Sequence, residues 1–222
     1  MILVLVAVVS YLWGALTVHK QVFPFPQLLL LKYEYFNSSS PRQTTFQTNG
    51  RRPDVVMIGD SLTALAPWNE MFPKAQIANE GVGGDTTNKI LARLDSISGS
   101  PKKALIMVGI NDFYRGTSAD SAFQNYREIV KRLQQAGVTI IIQSTLECSK
   151  NVCGYRVYQV RDLNKQLEEF AKQNKIAFVD INADLSSPND GLSSEYTYDG
   201  IHLRTSGYMK WSEKIRPYIT AD

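Results

Sequence analysis

The chain has 222 residues, enough for one substantial α/β core with an extension but short for two full domains. Its 44% hydrophobic and 20% charged residues are the composition of a chain that folds, which excludes a wholly disordered polymer. The net charge of +3, with no Lys/Arg run longer than two residues, excludes a phosphate-tracking surface and with it a nucleic-acid partner.

The first 19 residues, opening MILVLVAVVSYLWGALTV, are apolar almost throughout, and the first ionisable side chains are His19 and Lys20. About 18 such residues coiled as a helix reach the hydrocarbon thickness of a bilayer. No basic segment precedes them and no small-x-small cleavage site follows, so an uncleaved membrane anchor is expected over 1–19. Residues 20–53 mix Pro, Ser, Thr and Asn with an apolar patch at Leu28 to Leu31 and read as a stalk. The folded domain is expected over 54–222.

Short apolar runs then alternate with longer stretches of helical period. Strands are predicted at VVMIG (55–59), QIANE (76–80), ALIMVG (104–109), TIIIQS (139–144) and IAFVD (176–180). Most are continuously apolar, the pattern of parallel strands covered on both faces. Between Ser118 and Ala136, Phe123, Tyr126, Ile129, Val130 and Leu133 repeat at helical spacing, and Gly137 supplies a stop. Val160, Leu163, Leu167, Phe170 and Ala171 mark the next helix. A last helix is predicted from Thr205, as N-cap, to Tyr218, with Pro217 ending it. The alternation implies an α/β fold, a three-layer α/β/α sandwich on a five-stranded parallel sheet.

Ligands of such open sheets bind beyond the carboxyl ends of the strands. Ser61 follows the first predicted strand, Gly83-Gly84-Asp85 the second, Asn111-Asp112 the third, and Asp199 and His202 come after the fifth. Acyl transfer needs a nucleophile, a base, a group that orients the base, and donors for an oxyanion. His202 is the one histidine of the predicted domain, and a turn through Gly200 can aim Asp199 at its ring. Asp60, Asp85 and Asp112 are assigned to turn geometry and to bonds with neighbouring loops.

GDSL at 59–62, GVGGDTT at 81–87, VGIND at 108–112 and DGIHL at 199–203 together resemble the four blocks of the SGNH hydrolases, the GDSL esterases and lipases. The resemblance spans roughly Asp54 to Tyr218. It implies a flavodoxin-like sheet, Ser61 as nucleophile, His202 as base and Asp199 as its partner. It further implies an oxyanion hole from the N–H groups of Ser61 and Gly84 and the side-chain amide of Asn111. The expected activity is hydrolysis of a small-molecule or glycan carboxylic ester with a short acyl group, O-acetyl on a glycan or a lipid-derived ester being the candidates, through an acyl-enzyme on Ser61. An O-acyltransferase with a sugar acceptor and a catalytically silent tethered module are the alternatives.

No cofactor or metal ion is expected: one domain histidine and two cysteines make no ligand set, and GVGGDTT lacks the lysine of a P-loop. Cys148 and Cys153, the chain's two cysteines, are close enough for a small disulfide loop and are equally compatible with reduced thiols. A bond there would stiffen a loop beside the acyl or alcohol pocket. It would also place the domain in an oxidising compartment, periplasmic or extracellular, on the far side of a membrane anchor.

Overall fold

The computed structural model describes residues 53–97 and 101–220. The expected anchor, and the expected stalk up to Arg52, lie outside the described residues. Five strands form one parallel sheet: β1 (Val55–Gly59), β2 (Ile77–Gly81), β3 (Lys103–Met107), β4 (Thr139–Gln143) and β5 (Ala177–Val179), in the order β2-β1-β3-β4-β5. Central β1 pairs in register with both neighbours, Val55 opposite Ile77 on one side and Lys103 on the other. Each predicted strand is present to within a few residues at its ends.

Side chains of a strand alternate between faces, so an apolar run feeds two cores. Val56, Ile58, Ala104, Ile106, Ile140 and Ile142 enter one core, while Val55, Met57, Leu105, Met107 and Ile141 enter the other. The first core is covered by α3 (Thr87–Arg93), α5 (Ala119–Gln135) and α7 (Arg156–Gln173). The second lies under α1 (Ser61–Leu65), α2 (Trp68–Met71) and α8 (Thr205–Thr220). This is the predicted three-layer sandwich. Short α4 (Ile110–Tyr114) and α6 (Lys150–Cys153) follow β3 and β4, and two-residue strands β6 (Ser186–Ser187) and β7 (Gly191–Leu192) form a small antiparallel pair after β5.

Helix α5 shows why the periodicity was readable. Ser118 caps it by accepting the Ser121 N–H, Tyr126, Ile129, Val130 and Leu133 are buried, and Gly137 leaves the helix with φ at 79°. Helix α8 departs from the prediction, for it continues through Pro217 to Thr220, and Thr205 is its first residue, not its cap. A proline in a final turn removes a single N–H, and Ile215 and Ile219, both buried, hold that turn on the sheet. Further along the same face, Trp211 meets Trp68 edge-on at 5.1 Å between ring centroids and donates its indole N–H to Gln143 Oε1 at 2.6 Å.

The segment after β4, expected to be a loop, contains the single turn α6, and Cys148 is bonded to Cys153. Both residues belong to the buried cluster that includes Val157 and Val160, so the disulfide itself lies in the core.

Candidate active site

Ser61 opens α1 directly after β1, at the carboxyl edge of the sheet. Asp60 caps this helix, its Oδ1 accepting the Leu62 N–H at 3.0 Å, which fixes the turn that presents Ser61. Ser61 Oγ lies 3.2 Å from His202 Nε2, and His202 Nδ1 lies 2.8 Å from Asp199 Oδ2. The other carboxylate oxygen of Asp199 accepts the N–H groups of Ile201 at 3.0 Å and His202 at 2.7 Å. Burial pushes the Asp199 carboxyl pKa up, but the His202 ring and these two N–H groups outweigh it and hold it below the ordinary value. The carboxylate is therefore ionised, and it selects the imidazole tautomer with its proton on Nδ1, leaving Nε2 to accept from the serine.

The other two predicted residues come to the same edge. Gly84 sits in a turn closed by the Asp85 N–H on the Val82 carbonyl at 3.1 Å, with φ at 74°, a conformation that suits glycine. Asn111, on α4, donates from Nδ2 to the Asp85 carbonyl at 3.0 Å and reaches Asp60 Oδ2 at 3.4 Å. The shorter bond orients the amide. The longer contact is the weaker one.

Three carboxylates stand behind these groups. Asp112 accepts the Thr87 hydroxyl at 2.6 Å and the Thr87 N–H at 2.9 Å, tying α4 to α3. Asp85 accepts from Arg93 Nε at 2.7 Å. Asp60 is fully buried, and burial raises its pKa to about 7; the Leu62 N–H opposes the shift, and the charges of Asp85 and Asp112 add to it.

The Asp199–His202 loop is held by backbone bonds. Its Gly200 carbonyl accepts the Ser149 N–H at 2.7 Å, from the residue beside Cys148. A β-carbon on Gly200 would fall 2.4 Å from Val152 Cγ2, so the loop rests directly on the disulfide-closed turn. The cysteine pair thus sits beneath the histidine loop.

Sequence reasoning did not assign the aromatic surroundings. Tyr198, 52% exposed, stacks on the His202 ring at 6.0 Å, and Tyr114 ends the helix that carries Asn111. The presence of Tyr155 and Arg156 after the cysteines was visible in the sequence, but their juxtaposition with Tyr114 requires the fold.

The model of the GDSL-like Lipase/Acylhydrolase family matches residues 57–210. The rat protein "Platelet-activating factor acetylhydrolase IB subunit alpha2" is 26% identical over 183 residues, covering 76% of this chain and 77% of its own. The crystal structure of a GDSL-like lipase from Bacteroides thetaiotaomicron superposes with a TM-score of 0.65 at 26% identity, covering 74% of this chain and 86% of that one. An acetylxylan esterase from Geobacillus stearothermophilus shares the fold, with a TM-score of 0.63 at 18% identity over 78% of this chain and 96% of that one.

Proposed function

Since the chain belongs to the GDSL-like lipase/acylhydrolase family and is a serine ester hydrolase, we propose that it cleaves short-chain carboxylic esters, acetyl esters foremost, through an acyl-enzyme on Ser61. The observation that carries this reading is the unbroken chain from Asp199 through His202 to the Ser61 hydroxyl, with contacts of 2.8 and 3.2 Å. The rat relative, named an acetylhydrolase, supports the short acyl group.

In the first half-reaction Ser61 Oγ attacks the ester carbonyl while its proton passes to His202 Nε2. The negative charge on the former carbonyl oxygen is met by the N–H groups of Ser61 and Gly84 and by Asn111 Nδ2. Collapse expels the alkoxide, which takes the proton from the imidazolium and leaves as alcohol. Water then repeats the cycle on the acyl-serine: it loses a proton to Nε2, and the carboxylic acid departs as Ser61 recovers its hydrogen. Asp199 keeps its charge throughout and stabilises the imidazolium.

The apolar residues 1–19 support a membrane tether, and the buried disulfide supports an oxidising compartment for the domain. Fluorophosphonate labelling of the full-length protein tests the core of the reading. Labelling of Ser61 that disappears in Ser61→Ala is expected, together with hydrolysis of p-nitrophenyl acetate faster than that of longer acyl esters. Absence of labelling overturns the nucleophile. Product analysis with a sugar alcohol present separates hydrolysis from transfer, since a new sugar ester appears only if the acceptor outcompetes water. Retention of the full chain in the membrane pellet after alkaline extraction tests the tether.

A further inference from the structure

Two arginines on helix α7 differ in how they are held. Arg161 is fully engaged, with Nε and Nη2 each 2.9 Å from an oxygen of Glu147, and further bonds to the carbonyls of Pro188 at 2.7 Å and Ser187 at 3.0 Å. Arg156, half-buried at the start of the same helix, has one long hydrogen bond, from Nε to the Phe113 carbonyl at 3.4 Å. Among the described residues no carboxylate pairs with it. Its guanidinium is instead stacked, 4.7 Å from the Tyr114 ring centroid and 5.3 Å from that of Tyr155. Stacking fixes the plane of an arginine while leaving its terminal N–H groups free to bind, the arrangement suited to a planar or tetrahedral oxyanion.

The position of this arginine relates it to the triad. Tyr114 lies on α4 with Asn111, and its phenol is raised by burial, with opposing contributions from the charges of Arg156 and Asp199. Arg156 Nε donates to the carbonyl of Phe113 on that same helix, and Tyr155 closely follows the disulfide-closed turn against which Gly200, between Asp199 and His202, is packed. A second cation, Arg115, is exposed on the same helix end and reaches the Gly84 carbonyl at 3.5 Å, beside the proposed oxyanion donors. The exposed faces of Tyr114, at 40%, and Tyr155, at 65%, complete a cationic and aromatic rim.

We propose that Arg156, splinted by Tyr114 and Tyr155, forms an anion subsite at the rim of the site, so that the preferred ester carries a carboxylate or phosphate group near the bond that is cleaved. The proposal rests on the reading of Ser61, His202 and Asp199 as the ester-cleaving centre. A charge-assisted bidentate contact is of the strength that changes selectivity by about 10-fold or more.

The test compares three acetyl esters on the full-length protein: an acetylated methyl glucoside, which is neutral, an acetylated methyl glucuronide, which carries a carboxylate, and an acetylated glycerol phosphate. The expected result is a kcat/KM ratio of charged over neutral ester of about 10 or more that weakens as ionic strength rises. That ratio collapses in Arg156→Gln and partly survives in Arg156→Lys, and whichever charged ester leads identifies the anion. Competition by free methyl glucuronide or glycerol phosphate against the neutral ester provides a reading that needs no variant. A ratio near one in the wild-type protein, or one unchanged in Arg156→Gln, overturns the subsite. If Ser61 takes the fluorophosphonate but no charged ester is preferred, the subsite fails and the hydrolase stands; if Ser61 is not labelled, the underlying centre fails as well.

Discussion

The two sides of the site are built on different principles. The serine side is local: Ser61, Gly84 and Asn111 each sit just past a strand, and their support comes from buried side chains, Asp60 under the α1 turn and Asp112 on Thr87. The histidine side belongs to no regular element. Its loop is closed by bonds to its backbone carbonyls, from the Thr197 hydroxyl to that of His202 at 2.7 Å and from the Ser149 N–H to that of Gly200 at 2.7 Å, and it rests on a turn closed by a disulfide. The difference teaches that one side is stiffened by burying charge, at a cost in stability, and the other by covalent and backbone constraint.

Substitutions that separate the two sides sharpen this contrast. The largest effect is expected from Ser61→Ala or His202→Ala, each lowering kcat by roughly 10⁴-fold or more with the fold retained, as measured by steady-state kinetics beside circular dichroism. Equal losses in the single and double variants would show the sides acting as one unit. Next comes Asn111→Ala, expected to lower kcat by ~10²–10³ with little change in KM; an unaltered rate removes it from the oxyanion hole. Replacing both cysteines by alanine acts on the histidine side alone. Loss of so short a closed loop is expected to cost about 2 kcal/mol in denaturant unfolding and to lower kcat several-fold through the Ser149–Gly200 contact. A stability loss with kcat untouched would mean that the turn does not position His202.

The smallest expected effect on rate comes from Asp60→Asn, which keeps the helix cap and removes the buried charge. Asp60 has its pKa raised to about 7 in the folded protein from a value of 3.8. Between those values the native state holds a proton that the unfolded chain has released, so wild-type stability falls as pH rises through that window and levels off above it. The variant lacks this loss. Its advantage over wild type is expected to grow from pH 5 to pH 8 by on the order of 2–3 kcal/mol, read from urea midpoints at each pH. An advantage that does not vary with pH would mean that Asp60 is not the group responsible.

The same contrast separates what was legible in the sequence from what was not. All five sheet strands were readable because β1, β3 and β4 serve two cores and leave almost no polar residue in their runs. The serine side was readable for the same reason, since each candidate follows a strand that periodicity finds. Strands β6 and β7, two residues each, are too short to show a period, and the continuation of α8 past Pro217 depends on Ile219 finding a buried place. Burial of the disulfide under Gly200, and the stacking of Arg156 on Tyr114, join segments that carry no shared pattern along the chain. Such contacts are products of topology alone.

The places of Ser61 and His202 along the chain set an order on their synthesis. Ser61 and the strand behind it leave the ribosome long before His202, and the loop that bears the imidazole is followed directly by the helix carrying Trp211. A nascent chain therefore carries the Ser61 hydroxyl before the residue proposed to accept its proton has been synthesised. The proposed acyl-transfer chemistry is thereby withheld from the growing polypeptide until synthesis has passed His202.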